Sequence, residues 1–288
     1  MTMIEGQRLM KNSAKSLVQG LLRPLGYELR RVPRAEPCDI ASTIPVEKYQ
    51  MMVNELHGGL RELMFRDLPA REGRRELLAQ LVGTPVSEAM YILAYLNKAL
   101  AANGDVCEFG VAQGATSALL ANEIRQTSKQ LWLFDSFEGL PAPTEKDVLI
   151  DDIFGLGSID KYKGEMASPA DMVKARLDAI NFPASRARLV PGFIEETVKS
   201  AELPEKVCFA YIDFDFYEPI LTALRMLRSR LAPDGAIVID DYGFFSAGAK
   251  TAVDEFVAEE HGAFELIMPS EFAAESTPFC ILQRSTTH

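Results

Sequence analysis

Two acidic stretches late in the chain are the first places where residue type and spacing allow chemistry. Tyr211-Ile212-Asp213-Phe214-Asp215 ends one apolar run, and Ile239-Asp240-Asp241-Tyr242-Gly243 ends the next. The residues between, Pro219 to Leu231, read as a crossover helix, which makes the two runs neighbouring parallel strands. Such neighbours lie about 4.8 Å apart. Carboxylates at both ends can therefore converge on one hard divalent cation, at roughly 2.0–2.1 Å if it is magnesium. Without a cation, acids packed this closely repel, and some hold their protons to higher pH.

A second place is Glu108-Phe109-Gly110-Val111-Ala112-Gln113-Gly114. Gly110 and Gly114 let the backbone turn tightly and come close to a ligand. The GxGxxG spacing of dinucleotide sites is absent. Glu108 would repel a phosphate and suits an ammonium-bearing ligand. Asp135, followed by Ser136, ends the next apolar run, where an acid can accept both hydroxyls of a ribose. Gly192-Phe193 follows a further run, and the ring could pack against an adenine face.

These residues need a scaffold, and the rhythm of the chain predicts one. Apolar runs at 106–110, 131–135, 187–190, 208–213 and 236–240 alternate with helical spacing at 116–125, 169–180 and 219–231. Such alternation predicts an α/β fold, a doubly wound and mostly parallel sheet with helices on both faces. Runs at 264–268 and 279–283 add two strands, read as an antiparallel edge pair, which makes seven. Ligands of such sheets bind beyond the carboxyl ends of the strands. Thr84-Pro85 reads as a hydroxyl cap and a first-turn proline for the helix that follows. Residues 141–168 are rich in Pro, Gly and acids, and read as a lid-like loop.

Composition narrows the function. The chain has 288 residues and a net charge of −11, which argues against a nucleic-acid partner, since that needs a basic footprint. Four cysteines, with no two close together, predict neither a disulfide framework nor a thiolate zinc site. Three histidines leave few bases for a Ser-His-Asp hydrolase. His57 and His261 each precede glycine and read as helix-end or loop residues. No apolar run is long enough for a membrane span, and the N-terminus lacks a signal-peptide core, so a cytoplasmic protein is expected. Residues 1–34 hold seven basic and two acidic side chains. The basic stretch 8–34, amphipathic around Leu17 to Leu29, either docks on the domain or lies on an anionic membrane surface. The expected division is an N-terminal helical extension, 1–84, and a catalytic domain, 85–288. The charged N-terminal helices leave room for a homo-oligomer interface.

The strand ends taken together resemble the macrocin O-methyltransferase family. The pieces are Glu108-Phe109-Gly110-Val111, Asp135-Ser136-Phe137-Glu138-Gly139-Leu140-Pro141, Gly192-Phe193-Ile194-Glu195-Glu196-Thr197, Tyr211 to Glu218 and Ile239 to Gly243, with Ala252 to Phe256 later. The resemblance covers about residues 85–260. It implies a class I, Rossmann-like methyltransferase that uses S-adenosylmethionine and magnesium to methylate a hydroxyl of a sugar or glycan acceptor. By the same resemblance Glu108, Gly110, Gly114, Asp135, Ser136 and Phe193 hold the cofactor. Asp213, Asp240 and Asp241 bind the metal, and Asp213 also accepts the acceptor's proton. The chain departs from the family pattern at Gln113, where a basic residue is common, and at Phe214, where glycine is usual.

Two other classes stay open at this point. Asp213-Phe214-Asp215 fits the DxD of metal-dependent glycosyltransferases, a reading that leaves Asp240-Asp241 and the Glu108 turn without a role. The fold could also bind S-adenosylmethionine without turnover.

Overall fold

The structure, a computed structural model, describes residues 46–269 and 278–285. The basic stretch 8–34, and the surface or partner contact expected of it, lies outside them. From Val46 onward the chain forms one compact unit.

Five strands run parallel: β1 (Asp105–Phe109), β2 (Leu131–Asp135), β3 (Ala187–Pro191), β4 (Val207–Ile212) and β5 (Leu231–Ile239). Two more, β6 (Phe264–Ile267) and β7 (Cys280–Arg284), are antiparallel and close one edge. The order is β3-β2-β1-β4-β5-β7-β6. This is the expected seven-stranded, doubly wound α/β sheet. The chain builds outward from β1 to β3, then returns to β4 beside β1. That reversal opens a crevice at the carboxyl ends of the two strands.

Helices α1 (Val46–Leu63), α2 (Arg74–Leu78) and α3 (Val86–Ala99) precede the sheet. Helices α4 (Ala115–Ile124), α5 (Ala170–Ala179), α6 (Ile194–Ser200), α7 (Tyr217–Leu227) and α8 (Ala247–Glu259) connect its strands. Alternating side chains fill both faces. Phe109 joins Phe134, Ile212, Ile220 and Phe256 on one, while Val106 joins Leu96, Leu120, Leu133 and Tyr211 on the other. Central strands buried on both sides read as continuous apolar runs for this reason. Among the described residues no helix is long and apolar enough to cross a membrane.

Several local expectations are corrected. His57 lies inside α1 and is buried, because α1 continues through Gly58-Gly59 instead of ending there. Residues near glycine still follow the helix where tertiary packing of its apolar face holds it; here Val53 and Leu60 pack on Met90 and Leu93 of α3. Thr84 does not cap α3. Pro85 holds the cap position, and the Thr84 hydroxyl lies 3.2 Å from that of Thr116. The crossover helix stops at Leu227, and Leu231 already belongs to β5, which pairs with Val207 and then shifts register.

The loop at 141–168 is packed down. Buried Tyr162 sits with Leu140, Phe216 and Phe245. Its hydroxyl donates to Asp152 Oδ1 at 2.7 Å. Buried Asp147 accepts from the Tyr217 backbone N–H at 2.8 Å and the Ser246 hydroxyl at 3.2 Å, which ties the loop to the starts of α7 and α8.

Candidate active site

Hydrogen bonds continue past the strand ends and set the site. Asp213 N–H donates to Phe109 O at 2.7 Å, and Gly110 N–H to Phe134 O at 2.9 Å. Ile212 lies opposite Ile239 in the ladder, and Asp240 N–H donates to Ile212 O at 2.9 Å. Asp213 and Asp240 therefore leave the sheet side by side. Above them lies a cavity of about 510 Å³, lined by the loops after β1 to β5 and by Ile153 and Phe154 of the 141–168 loop.

Of the expected residues, Glu108, Gly110, Asp135, Ser136, Phe193, Asp213, Asp240 and Asp241 all line this cavity. Gly114 does not. It sits behind, at the start of α4 with φ +76°, against Val173 of α5. Gly110 has φ +85°, and a Cβ there would run into the Asp213 carbonyl oxygen. Any other side chain would force β1 and β4 apart at the crevice.

The β1 end of the cavity carries one unmatched charge-bearing group. Glu108 is fully buried. Its Oε2 accepts from the Ser117 hydroxyl at 2.5 Å, whereas Oε1 has no hydrogen-bond partner. Burial pushes its carboxyl up to about 8, with Ser117 opposing and the charge of Asp135 adding. Asp135 braces the glycine turn: Oδ2 accepts from Val111 N–H at 2.7 Å and Ala112 N–H at 2.9 Å. Its Oδ1 accepts from Phe137 N–H at 2.6 Å. Ser136 donates to Gly139 O at 2.9 Å and shapes the same loop.

The β4–β5 end is a cluster of acids. One carboxylate oxygen from each of Asp213, Asp215 and Asp241 falls within 4.8 Å of the others. Asp215 and Asp241 reach in from left-handed backbone, φ +62° and +55°. Such conformations are uncommon for residues with a side chain and gather at functional sites. Asp240 points inward. Its Oδ1 accepts from Asp241 N–H at 2.7 Å, and its Oδ2 lies 3.2 Å from the Tyr211 hydroxyl.

Burial and mutual repulsion raise these acids. Burial, then the charges of Asp240 and Asp215, push Asp241 up to about 10. Burial, then the charge of Asp213, push Asp215 up to about 8. Asp240 rises to about 6 through burial, opposed by hydrogen bonds from the Asp241 backbone and Tyr211. An all-oxygen donor set that crowds like charges fits a hard divalent cation, which would remove the repulsion.

Reading the sequence missed two contributors. Asp215 stood in the acidic stretch and the DxD pattern without a metal role, yet one of its carboxylate oxygens lies beside those of Asp213 and Asp241. Glu88, fully buried in the first turn of α3, meets the back of the cluster at the Tyr211 hydroxyl, 3.3 Å away. An acid in a first turn ordinarily reads as a partner of the helix dipole, so only burial distinguishes it. Every charged side chain that lines the cavity among the described residues is acidic.

Comparisons with known proteins show the family and the fold. Residues 94–268 match the model of the macrocin O-methyltransferase (TylF) family. The chain is 30% identical over 142 residues to the 8-demethyl-8-(2,3-dimethoxy-alpha-L-rhamnosyl)-tetracenomycin-C 4'-O-methyltransferase of Streptomyces olivaceus, covering 48% of this chain and 53% of that one. It is 28% identical over 172 residues to the mycinamicin III 3''-O-methyltransferase of Micromonospora griseorubida, covering 57% of this chain and 64% of that one. The matches thus span between half and two thirds of those relatives. The solved structure of the O-methyltransferase NovP superposes with a TM-score of 0.60 at 21% identity, over 84% of this chain and 100% of that one, a likeness of fold. With the family model matched over more than half its length, the chain belongs to the macrocin O-methyltransferase family.

Proposed function

We propose that the protein transfers a methyl group from S-adenosylmethionine to a hydroxyl of an uncharged sugar or glycan-type acceptor, with a divalent cation such as magnesium. The observation that carries this reading is the cavity with two acidic ends: unpartnered Glu108 at one, the aspartate cluster at the other. Both curated relatives are named as O-methyltransferases, one for a rhamnosyl-bearing compound, which supports the acceptor class.

Each end has a distinct task. Glu108 Oε1 would receive the ammonium of the cofactor, which completes the hydrogen bonding of a buried carboxylate. Asp135 holds the turn that lets backbone approach the cofactor, and its one lone pair left over, on Oδ1, would accept a single ribose hydroxyl instead of both. Phe193, at the start of α6, presents a ring to the adenine. The sulfonium of S-adenosylmethionine supplies an activated methyl group, so the chain must supply a nucleophilic acceptor oxygen.

Asp213, Asp240 and Asp241 would hold the cation, with Asp215 close beside Asp213 and Asp241. A bound divalent cation supplies positive charge that makes a nearby hydroxyl more acidic. The acceptor's proton would pass to a carboxylate oxygen of Asp213, which lines the cavity at the end of β4. Ile153 and Phe154 of the packed loop also line the cavity and would shield a bound acceptor from water.

The acidic lining also separates this reading from a glycosyltransferase. A nucleotide-linked sugar held through a cation on Asp213 and Asp215 would leave the unpartnered Glu108, which suits an ammonium, and the Asp240-Asp241 pair without a role. The test is release of S-adenosylhomocysteine by the full chain over a panel of sugars and glycosides, with magnesium or with a chelator. Release that needs both acceptor and magnesium supports the proposal. Hydrolysis of a nucleotide-sugar without S-adenosylhomocysteine release overturns it.

A further inference from the structure

Behind the aspartates lies a layer with no role in the reading above. Tyr211 is fully buried in β4, two residues before Asp213. Its hydroxyl lies 3.2 Å from Asp240 Oδ2, 3.3 Å from Asp213 Oδ2 and 3.3 Å from Glu88 Oε1. The three carboxylates belong to three separate parts of the fold: the end of β5, the end of β4 and the first turn of α3. The ring itself is fixed by packing in the core beneath the sheet, with Phe209 and Val238.

A phenol carries one proton and two lone pairs, so it serves several acceptors only by sharing. The observed distances exceed the roughly 2.7–2.8 Å usual for an O–H···O bond, as sharing requires. Aspartates that repel one another turn apart when their side chains are free to rotate. A hydroxyl on a rigid ring at their centre gives Asp213 and Asp240 a common inner anchor, and it leaves their other lone pairs for the cavity.

We propose that Tyr211, backed by Glu88, is a positioning residue: its hydroxyl anchors Asp213 and Asp240 in the arrangement that receives a divalent cation. This rests on the cation site proposed above. Groups behind metal ligands orient those ligands, and their loss typically lowers metal affinity about 10–100-fold.

Tyr211→Phe keeps the ring and removes only the oxygen. The experiment is calorimetric titration of the full chain and of this variant with magnesium chloride, and separately with S-adenosylmethionine, with a melting curve for each protein. The expected result is a magnesium Kd raised about tenfold or more, with the S-adenosylmethionine Kd within about twofold of native. Glu88→Gln should shift magnesium affinity in the same direction by a smaller factor, and it carries the test if Tyr211→Phe does not fold. Unchanged magnesium affinity in a folded variant overturns the proposal, and so does an equal loss for both ligands, which marks general damage. Failure of both variants to fold assigns the network to stability and overturns it as well. A native chain that binds no magnesium overturns the cation reading itself, and this proposal with it.

Discussion

Glu108 keeps one carboxylate oxygen on Ser117 and leaves the other without a partner in a buried site. A cationic ligand is the economical way to complete it, because an ionised buried carboxylate without a counter-charge is costly. Two outcomes follow at this residue. Glu108→Gln should weaken S-adenosylmethionine about 10–100-fold, the worth of a hydrogen bond to a charged group, while leaving magnesium affinity near native. The pH dependence has a definite sign. The free carboxyl holds its proton below about 8, and an ammonium binds the ionised form. Cofactor affinity should therefore climb as pH rises towards about 8, and fall again where the ammonium itself loses its proton. A flat affinity from pH 6 to 8 would contradict the role of Glu108. The site residues that sequence exposed are those at strand ends, since alternation predicts where strands stop. Asp215 and Glu88 were harder to read. The first reaches the cluster through a left-handed backbone no pattern announces, and the second through a helix packed from outside the sheet.

At the scale of elements, the site depends on how closely β1 and β4 approach and on what holds the outer helices. Gly110→Ala should cost about 1–3 kcal/mol, the range for a strained backbone, and weaken both ligands, because the added Cβ meets the Asp213 carbonyl. Urea denaturation with paired binding measurements checks this. The outer helices are locked by a buried ion pair. Arg74 donates to Glu123 through Nε at 2.8 Å and Nη2 at 2.7 Å, and Asn97 adds a third donor at 3.1 Å. Glu123→Gln should destabilise by about 3–5 kcal/mol, as for one partner lost from a buried pair. An unchanged denaturation midpoint would show that α2 and α4 are held by apolar packing alone. The parallel strands were legible because burial on both faces leaves uninterrupted apolar runs. Helix ends were less so. Gly58-Gly59 read as a stop, yet Val53 and Leu60 carry α1 through it by packing on α3, which no local signal records.

For the whole molecule, the fold places two acidic sites at the two ends of one cavity, and the loop at 141–168 supplies part of its lining. The loop itself was visible as a long Pro- and Gly-rich stretch. Its anchors, Tyr162 and Asp147, were not, because Phe216 and Phe245 for the one, and Tyr217 and Ser246 for the other, lie far away in sequence. A cation that binds only the folded chain should stabilise it, by about 2.7 kcal/mol at a hundredfold excess over Kd. Magnesium should thus raise the melting temperature by several degrees, and an Asp213→Asn/Asp241→Asn double variant should lose that gain. The central claim is that one cavity binds S-adenosylmethionine beside a carboxylate-held cation. Calorimetric titration of the full chain with S-adenosylmethionine, with and without magnesium, tests it most directly, repeated for Asp240→Ala/Asp241→Ala. Micromolar cofactor binding, with a magnesium heat that the double variant loses, is the predicted result. No cofactor binding under either condition would contradict the account.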